Sequence, residues 1–131
     1  MPRSQLDLSR IRPLDKALWA GAVDNLGGDV LAWIASTMGP SGTIASIGLA
    51  ASMELKTTVA PFILRGACLL GIDSAYTPMP LRRQVWRRLA SDMKPAKLKA
   101  MTRTIGFDEL PGAFQAHIDA KVMGRTIVRI S

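Results

Sequence analysis

Three short apolar segments, each containing or closed by glycine or aspartate, constrain the fold of this chain more than any other feature. They cover residues 20–24 (AGAVD), 43–49 (TIASIGL) and 67–73 (ACLLGID). None alternates strictly between apolar and polar residues, which is typical of strands in a sheet that is covered on both faces. Between the first two, residues 30–38 have the spacing of an amphipathic helix, and Asp29 is expected to cap it. The order of elements predicts an α/β protein with a parallel sheet and right-handed crossovers.

The second half of the chain predicts two further helices and a final strand. A helix is expected after the turn at 77–80 (TPMP), running to about Met93, and a strand is expected over 124–130 (GRTIVRI). Both helices are indicated by apolar residues at helical spacing. These residues are Leu81, Val85 and Leu89 in the first helix, and Leu110, Phe114 and Ile118 in the second. We expect residues 1–131 to form a single domain.

The positive charge of the chain is concentrated in one predicted helix and the residues after it. Lysine and arginine number 17 against 10 acidic residues, a formal net charge of +7. Much of this charge lies in residues 81–100, where the arginines fall mostly opposite the apolar positions, as on a solvated helix face. No RNA-recognition motif, zinc finger or helix-turn-helix accompanies it, so nucleic-acid binding is not expected. The arginines are Arg82, Arg83, Arg87 and Arg88.

Cysteine and histidine are too scarce for a disulfide or for an ordinary zinc site. Cys68 and His117 are the single residues of their types, whereas zinc normally takes four ligands. Cys68 is expected to be a small hydrophobe in a buried strand, and His117 to be partly packed on the last helix. The apolar stretches are shorter than the ~20 residues of a membrane span, and the first residues contain no signal core. We expect a soluble, cytoplasmic protein without a metal and without a membrane partner.

Ligands of open α/β sheets bind beyond the carboxyl ends of the strands. This rule selects residues 24–28, 48–51 and 73–78 as the candidate edge. Each glycine there can equally serve a tight turn. The first turn, DNLGGD, lacks the G-x-G-x-x-G fingerprint, and no Walker phosphate loop occurs, so this turn is not expected to hold a phosphate. No base, acid or nucleophile has a partner at useful spacing, so no catalytic residue is predicted.

Three stretches carry a resemblance to a known family. They are residues 12–28 (RPLDKALWAGAVDNLGG), 48–78 (GLAASMELKTTVAPFILRGACLLGIDSAYTP) and the terminal GRTIVRI. Together they resemble the C-terminal part of the acrylyl-CoA reductase and quinone oxidoreductase-like branch of the zinc-free medium-chain dehydrogenase/reductase superfamily. The similarity covers nearly the whole chain, and the pairing of TTVAPFILRG with GIDSAYTP is distinctive.

The resemblance implies a fold and an activity. Full-length relatives are expected to reduce an enoyl-CoA double bond with NADPH, using an N-terminal GroES-like catalytic domain followed by a Rossmann domain. This chain corresponds to the second half of the Rossmann sheet, three strands with covering helices, plus a C-terminal helix and strand. The catalytic domain and the glycine fingerprint would be absent. We therefore expect a truncated NADPH-dependent oxidoreductase that is inactive alone.

By the same resemblance, three residues would contact the NADP cofactor at its nicotinamide end. They are Leu49, Ile63 and Ser74. Core packing is the alternative role for Leu49 and Ile63. A further family position, usually an amide side chain, is Ala120 here, which weakens the site.

An alternative function is a homo-oligomeric interaction module without catalysis. Half of a Rossmann sheet exposes the strand at 20–24 as an edge with unpaired backbone groups. The resemblance implies pairing through the strand at 67–73 as well. A homodimer is therefore expected, and a companion chain could supply the missing N-terminal half.

Overall fold

The computed structural model describes residues 6–119 and 121–130. The described residues up to Thr77 form one compact unit, and those from Pro78 onward form another. That the two act as a single domain stays a prediction. No helix among the described residues has both the length and the apolar character needed to cross a membrane.

The first unit is a three-stranded parallel sheet with helices in its crossovers. The strands lie in the order β1-β2-β3, and both neighbouring pairs are parallel. This arrangement confirms the predicted α/β fold. The elements are β1 (Trp19–Asp24), α1 (Gly28–Thr37), β2 (Met38–Ser46), α2 (Ala60–Arg65) and β3 (Cys68–Gly71).

Strand β2 begins five residues before its predicted start. Residues 38–42 (MGPSG), expected to separate helix from strand, lie inside it. The pairing steps from Trp19 opposite Met38 to Gly21 opposite Thr43, so β2 advances by more residues than β1. The extra residues form a bulge, and glycine and proline are tolerated at bulges. The turn signal in this segment therefore marks a bulge and not a loop.

Helix α1 is capped differently from the prediction. Gly27 occupies the cap position, no side chain completes a cap hydrogen bond, and Asp29 lies inside the first turn. There its charge still interacts favourably with the positive end of the helix dipole. The expected role of Asp29 is wrong because the preceding turn is held by Asp24, whose carboxylate accepts a hydrogen bond from the Gly27 amide.

The core of the first unit lies on one face of the sheet. Strand register places Ala22, Ile44 and Leu69 side by side in one row, and this row packs into the core. Residues of α1 and α2 cover this row. The buried core residues are Leu31, Ala35, Met38, Ile44 and Ala67, with Ile34 and Phe62 packed against them.

The opposite face of the sheet is open in the described residues. Val23 is 68% exposed and Leu70 is 49% exposed. Cys68 is also exposed. Successive strand residues point to opposite faces, so Cys68 points away from the side to which Leu69 points. The predictions of a sheet covered on both faces and of a buried Cys68 are therefore wrong.

The second unit contains two helices and a parallel pair of strands. Helix α4 and strand β5 confirm the predicted helix and final strand, and α3 ends three residues before Met93. Strand β4 (TRTIG) was not predicted, because it is short and its residues are mostly polar. It pairs in parallel with β5. The elements are α3 (Met79–Ala90), β4 (Thr102–Gly106), α4 (Leu110–Ile118) and β5 (Arg125–Arg129).

Candidate cofactor-binding edge

The carboxyl ends of all three strands of the first unit meet at one edge. Asp24 pairs with Ser46, and Ser46 pairs with Gly71, so the last residues of β1, β2 and β3 are in register. The segments selected from the sequence follow these residues directly. Their placement at a common edge is confirmed, and this is the edge where open α/β sheets bind ligands.

Asp24 organises the first of these turns. Its side chain is 2% exposed, and its carboxylate accepts hydrogen bonds from the amides of Leu26 and Gly27 at 3.1 Å and from the Ser46 hydroxyl at 3.2 Å. Amides that could cradle a phosphate are thus already donated to a protein carboxylate. A second anion at this turn would also be repelled by that carboxylate. The geometry supports the inference that this turn does not hold a phosphate.

The second turn is packed directly on the first. The Ala50 and Ala51 amides donate to the carbonyls of Asn25 and Leu26 at 3.3 and 2.9 Å. A Cβ added at Gly48 would lie 2.5 Å from the Asn25 carbonyl oxygen. Glycine is required at position 48 because the two loops approach one another. This close approach explains the glycine without a bound ligand.

The third turn repeats the aspartate arrangement at the surface. The Asp73 carboxylate accepts hydrogen bonds from the Ala75 amide at 3.2 Å and the Tyr76 amide at 3.1 Å. The Ile72 amide donates to the Ser46 carbonyl at 2.9 Å, which ties this loop to the end of β2. Backbone groups of all three loops are therefore hydrogen-bonded, to aspartate carboxylates in the first and third loops and to backbone carbonyls in the second.

The three predicted cofactor residues are exposed. Leu49 is 60% exposed and Ile63 is 75% exposed, so neither is in the core. Leu49 lies against the first turn, since its Cα is 3.5 Å from the position of a Cβ built on Gly27. Ser74 lies in the exposed loop after β3. Ile63 lies on α2, between the loop after β2 and β3, and cofactor contact by all three stays a prediction.

Ala120, the position at which the family amide is replaced, lies outside the described residues. That this replacement weakens the cofactor site therefore stays a prediction.

Arg65 is a positioning residue that the sequence argument missed. Its guanidinium donates to the carbonyls of Ser36 at 3.1 Å and Met38 at 2.7 Å, and also to the carbonyl of Asp15. These bonds hold α2, which carries Ile63, against the end of α1. The arginine was visible at the end of PFILR, but backbone carbonyl partners leave no signal in the sequence.

The second unit contains a groove of about 600 Å³ with mixed charges. His117 lines it and is exposed, with Nδ1 2.8 Å from the Ala113 carbonyl oxygen. The expectation that His117 is partly packed is therefore wrong, because α4 turns this side chain toward the groove. Arg103 and Glu109 form an ion pair of 3.8 Å there. Among the described residues, no group of three or more His, Cys, Asp or Glu side chains could hold a metal ion.

Comparison with curated proteins identifies close relatives, although no family model matches the chain. A Bacillus subtilis protein named quinone oxidoreductase YhfP is 43% identical over 121 residues, which are 92% of this chain and 37% of the relative. The acrylyl-CoA reductase AcuI of Ruegeria pomeroyi is 39% identical over 129 residues, 98% of this chain and 39% of the relative. The chain thus spans about two-fifths of the length of the relatives it matches.

Solved structures agree with these relatives. The crystal structure of Escherichia coli YhdH with bound NADPH has a TM-score of 0.81 at 39% identity, over 100% of this chain and 40% of that one. The structure of Bacillus subtilis yhfP with NAD has a TM-score of 0.80 over 92% of this chain and 37% of that one. The first unit thus has the architecture of a Rossmann-like nucleotide-binding domain. Over at least 92% of its length, the chain is thus similar to one part of relatives named acrylyl-CoA reductase and quinone oxidoreductase, which supports its assignment to that branch of the medium-chain dehydrogenase/reductase superfamily.

Proposed function

We propose that this chain is the C-terminal part of an NADP-dependent oxidoreductase of the acrylyl-CoA or quinone reductase type. The observation that carries the proposal is the ordered edge at which three parallel strands end in register. A structure of the same fold and 39% identity was crystallised with NADPH. The nicotinamide ring supplies hydride when the cofactor is bound, and the protein orients it.

Each predicted contact residue has a role that its position supports. Leu49 and Ile63 offer exposed apolar side chains that exclude water from one side of a nicotinamide ring. Ser74 follows β3 in a loop whose backbone is tied to β2 through the Ile72 amide. Arg65 acts indirectly, because its three carbonyl bonds fix the helix on which Ile63 lies.

In this proposal, the chain contacts the nicotinamide ring of the cofactor but does not bind its pyrophosphate. The first turn has no glycine fingerprint, and the Leu26 and Gly27 amides are bound by Asp24. Hydride transfer requires the reacting atoms to be held about 3–3.5 Å apart. With one half of the cofactor unsupported, the isolated chain is expected not to reduce acrylyl-CoA.

A complementation assay tests the proposal. This chain is mixed with an Escherichia coli YhdH polypeptide that lacks the residues matched by this chain, and NADPH oxidation with acrylyl-CoA is followed. Activity is expected in the mixture and in neither part alone. Turnover by the isolated chain, or an inactive mixture in which the two parts do associate, would contradict the proposal.

Two neighbouring residues of α2 provide a matched pair of variants in that assay. Ile63→Ala is expected to lower kcat/KM roughly tenfold, because the ring loses one of its positioning contacts. Leu64→Ala removes an equally exposed side chain from the adjacent position. It is expected to leave activity unchanged, and equal losses in the two variants would refute the role of Ile63.

A further inference from the structure

Helix α3 exposes an apolar surface that the proposed function does not use. The structure describes every residue of α3, and none of them is buried. Trp86 is 63% exposed, and four further apolar side chains of the helix are also exposed. From the sequence, only the arginine side of this helix was expected to be solvated. The other exposed apolar residues are Met79, Leu81, Val85 and Leu89.

The apolar side chains share one side of the helix, and arginines border it. At 3.6 residues per turn and 1.5 Å per residue, Leu81, Val85 and Leu89 form a strip about 12 Å long, and Arg82 lies between this strip and Trp86. By the same geometry, Arg88 borders the strip on one side. Arg83 and Arg87 lie beyond Trp86 on the other side. Such a basic amphipathic helix is typical of segments that lie in a membrane interface.

The net positive charge of the chain comes from this helix and the residues that follow it. Residues 82–103 contain eight lysines and arginines and one acidic residue, Asp92, a net charge of +7 that equals the charge of the whole chain. The remaining residues are balanced, with nine basic and nine acidic side chains. The Arg88 guanidinium is 2.9 Å from the Asp92 carboxylate, and this hydrogen-bonded ion pair lowers the pKa of Asp92.

We propose that α3 docks the chain on an anionic lipid surface. Trp86 and the apolar strip enter the boundary between headgroups and acyl chains, and Arg83 and Arg87 contact lipid phosphates. A nucleic acid would satisfy the arginines but would leave Leu81, Val85 and Leu89 in water. An anionic bilayer covers the apolar strip and neutralises the charge together.

Vesicle co-sedimentation of the full chain tests this docking surface. Vesicles of phosphatidylcholine mixed with phosphatidylglycerol are compared with vesicles of phosphatidylcholine alone. Binding is expected to the mixed vesicles and to weaken with added salt. The double variant Arg83→Gln/Arg87→Gln is expected to bind at least roughly tenfold more weakly. The control Lys16→Gln/Lys56→Gln removes the same charge elsewhere and is expected to retain most of the binding.

Quenching by brominated lipids locates the inserted residue. Trp86→Phe is expected to abolish the quenching of tryptophan fluorescence, whereas Trp19→Phe is expected to leave it intact. Equal binding to neutral vesicles, no binding at all, or quenching that survives Trp86→Phe would each overturn the proposal. Binding to single-stranded DNA in preference to the mixed vesicles would also overturn it.

Discussion

Asp24 is the residue on which the geometry of the candidate edge most depends. Its buried carboxylate accepts hydrogen bonds from two backbone amides of the turn and from the Ser46 hydroxyl of the neighbouring strand. It therefore joins β1, the first turn and β2. The edge is stabilised by a protein carboxylate at the place where a dinucleotide fingerprint would present free amides.

Removing this carboxylate should destabilise the first unit. Asp24→Ala leaves the Leu26 and Gly27 amides without their acceptor, and we expect the free energy of unfolding to fall by about 2–3 kcal/mol. Urea denaturation followed by circular dichroism measures the change. Asp73→Ala is the control, because Asp73 makes the same kind of turn at the surface. A loss for Asp24→Ala no larger than that for Asp73→Ala would contradict the argument.

For the residues that the resemblance named, the structure gives exposure, while their contact with a cofactor stays a prediction. Leu49 and Ile63 are exposed, so the alternative of core packing does not hold for them. Composition and spacing were less informative about Cys68 and His117, both of which are exposed. Whether a side chain is buried depends on which faces of its element are covered, and local pattern alone does not specify that.

At the level of secondary structure, Arg65 connects elements that are far apart in the sequence. It donates to carbonyls near the end of α1, at the start of β2 and in the segment before β1. A guanidinium can serve several acceptors in a fixed geometry, which a lysine cannot reproduce. The position of α2, and so of Ile63, depends on this residue.

Replacing Arg65 should loosen α2. Arg65→Lys keeps the charge but loses some of the guanidinium N–H donors. We expect the free energy of unfolding to fall by about 1–2 kcal/mol. Hydrogen exchange of the α2 amides should rise in the same variant. The exposed Arg87→Lys serves as the control and should change neither quantity. An Arg65→Lys variant with unchanged α2 exchange would exclude the positioning role.

Elements with a periodic apolar pattern were predicted from the sequence, whereas the short apolar helix α2 was expected to be part of a connection. β1, α4 and β5 lie where the pattern placed them. β2 begins earlier than predicted, because Met38 and Thr43 both pair with β1 and the turn-forming residues between them form a bulge. β4 was missed because its pairing with β5, a non-local contact, stabilises residues that have no apolar alternation.

At the level of the whole molecule, the sheet formed by the described residues has an open face and two outer strands, which are features that favour association. β1 and β3 are the outer strands of the sheet, and Val23 and Leu70 are exposed on the uncovered side. Exposed edges and apolar patches promote pairing with another chain. We propose that copies of this chain form a homodimer through these edges when no companion chain is present.

Light scattering after size-exclusion chromatography tests that association. A dimer is expected at micromolar concentration, and Leu70→Lys should shift it toward monomer by placing a charge on the exposed strand. Leu64→Lys introduces the same charge on α2 and should not shift it. A stable wild-type monomer at micromolar concentration would contradict the proposal.

The family could be recognised from the sequence because its distinctive stretches fall in the loops and strand ends that form the edge. The division of the described residues into two compact units was not foreseen. The spacing of apolar residues indicates which of them share a face of a helix or strand. It does not indicate how many compact units the elements form.

A fluorescence titration that compares NADPH with reduced nicotinamide mononucleotide tests the central claim most directly. The claim is that this chain contacts the nicotinamide half of the cofactor and not its adenosine and pyrophosphate half. It predicts that the mononucleotide binds with closely similar affinity to NADPH, because the omitted half makes no contacts. NADPH binding about tenfold or more tighter than the mononucleotide, or no binding of either, would contradict it.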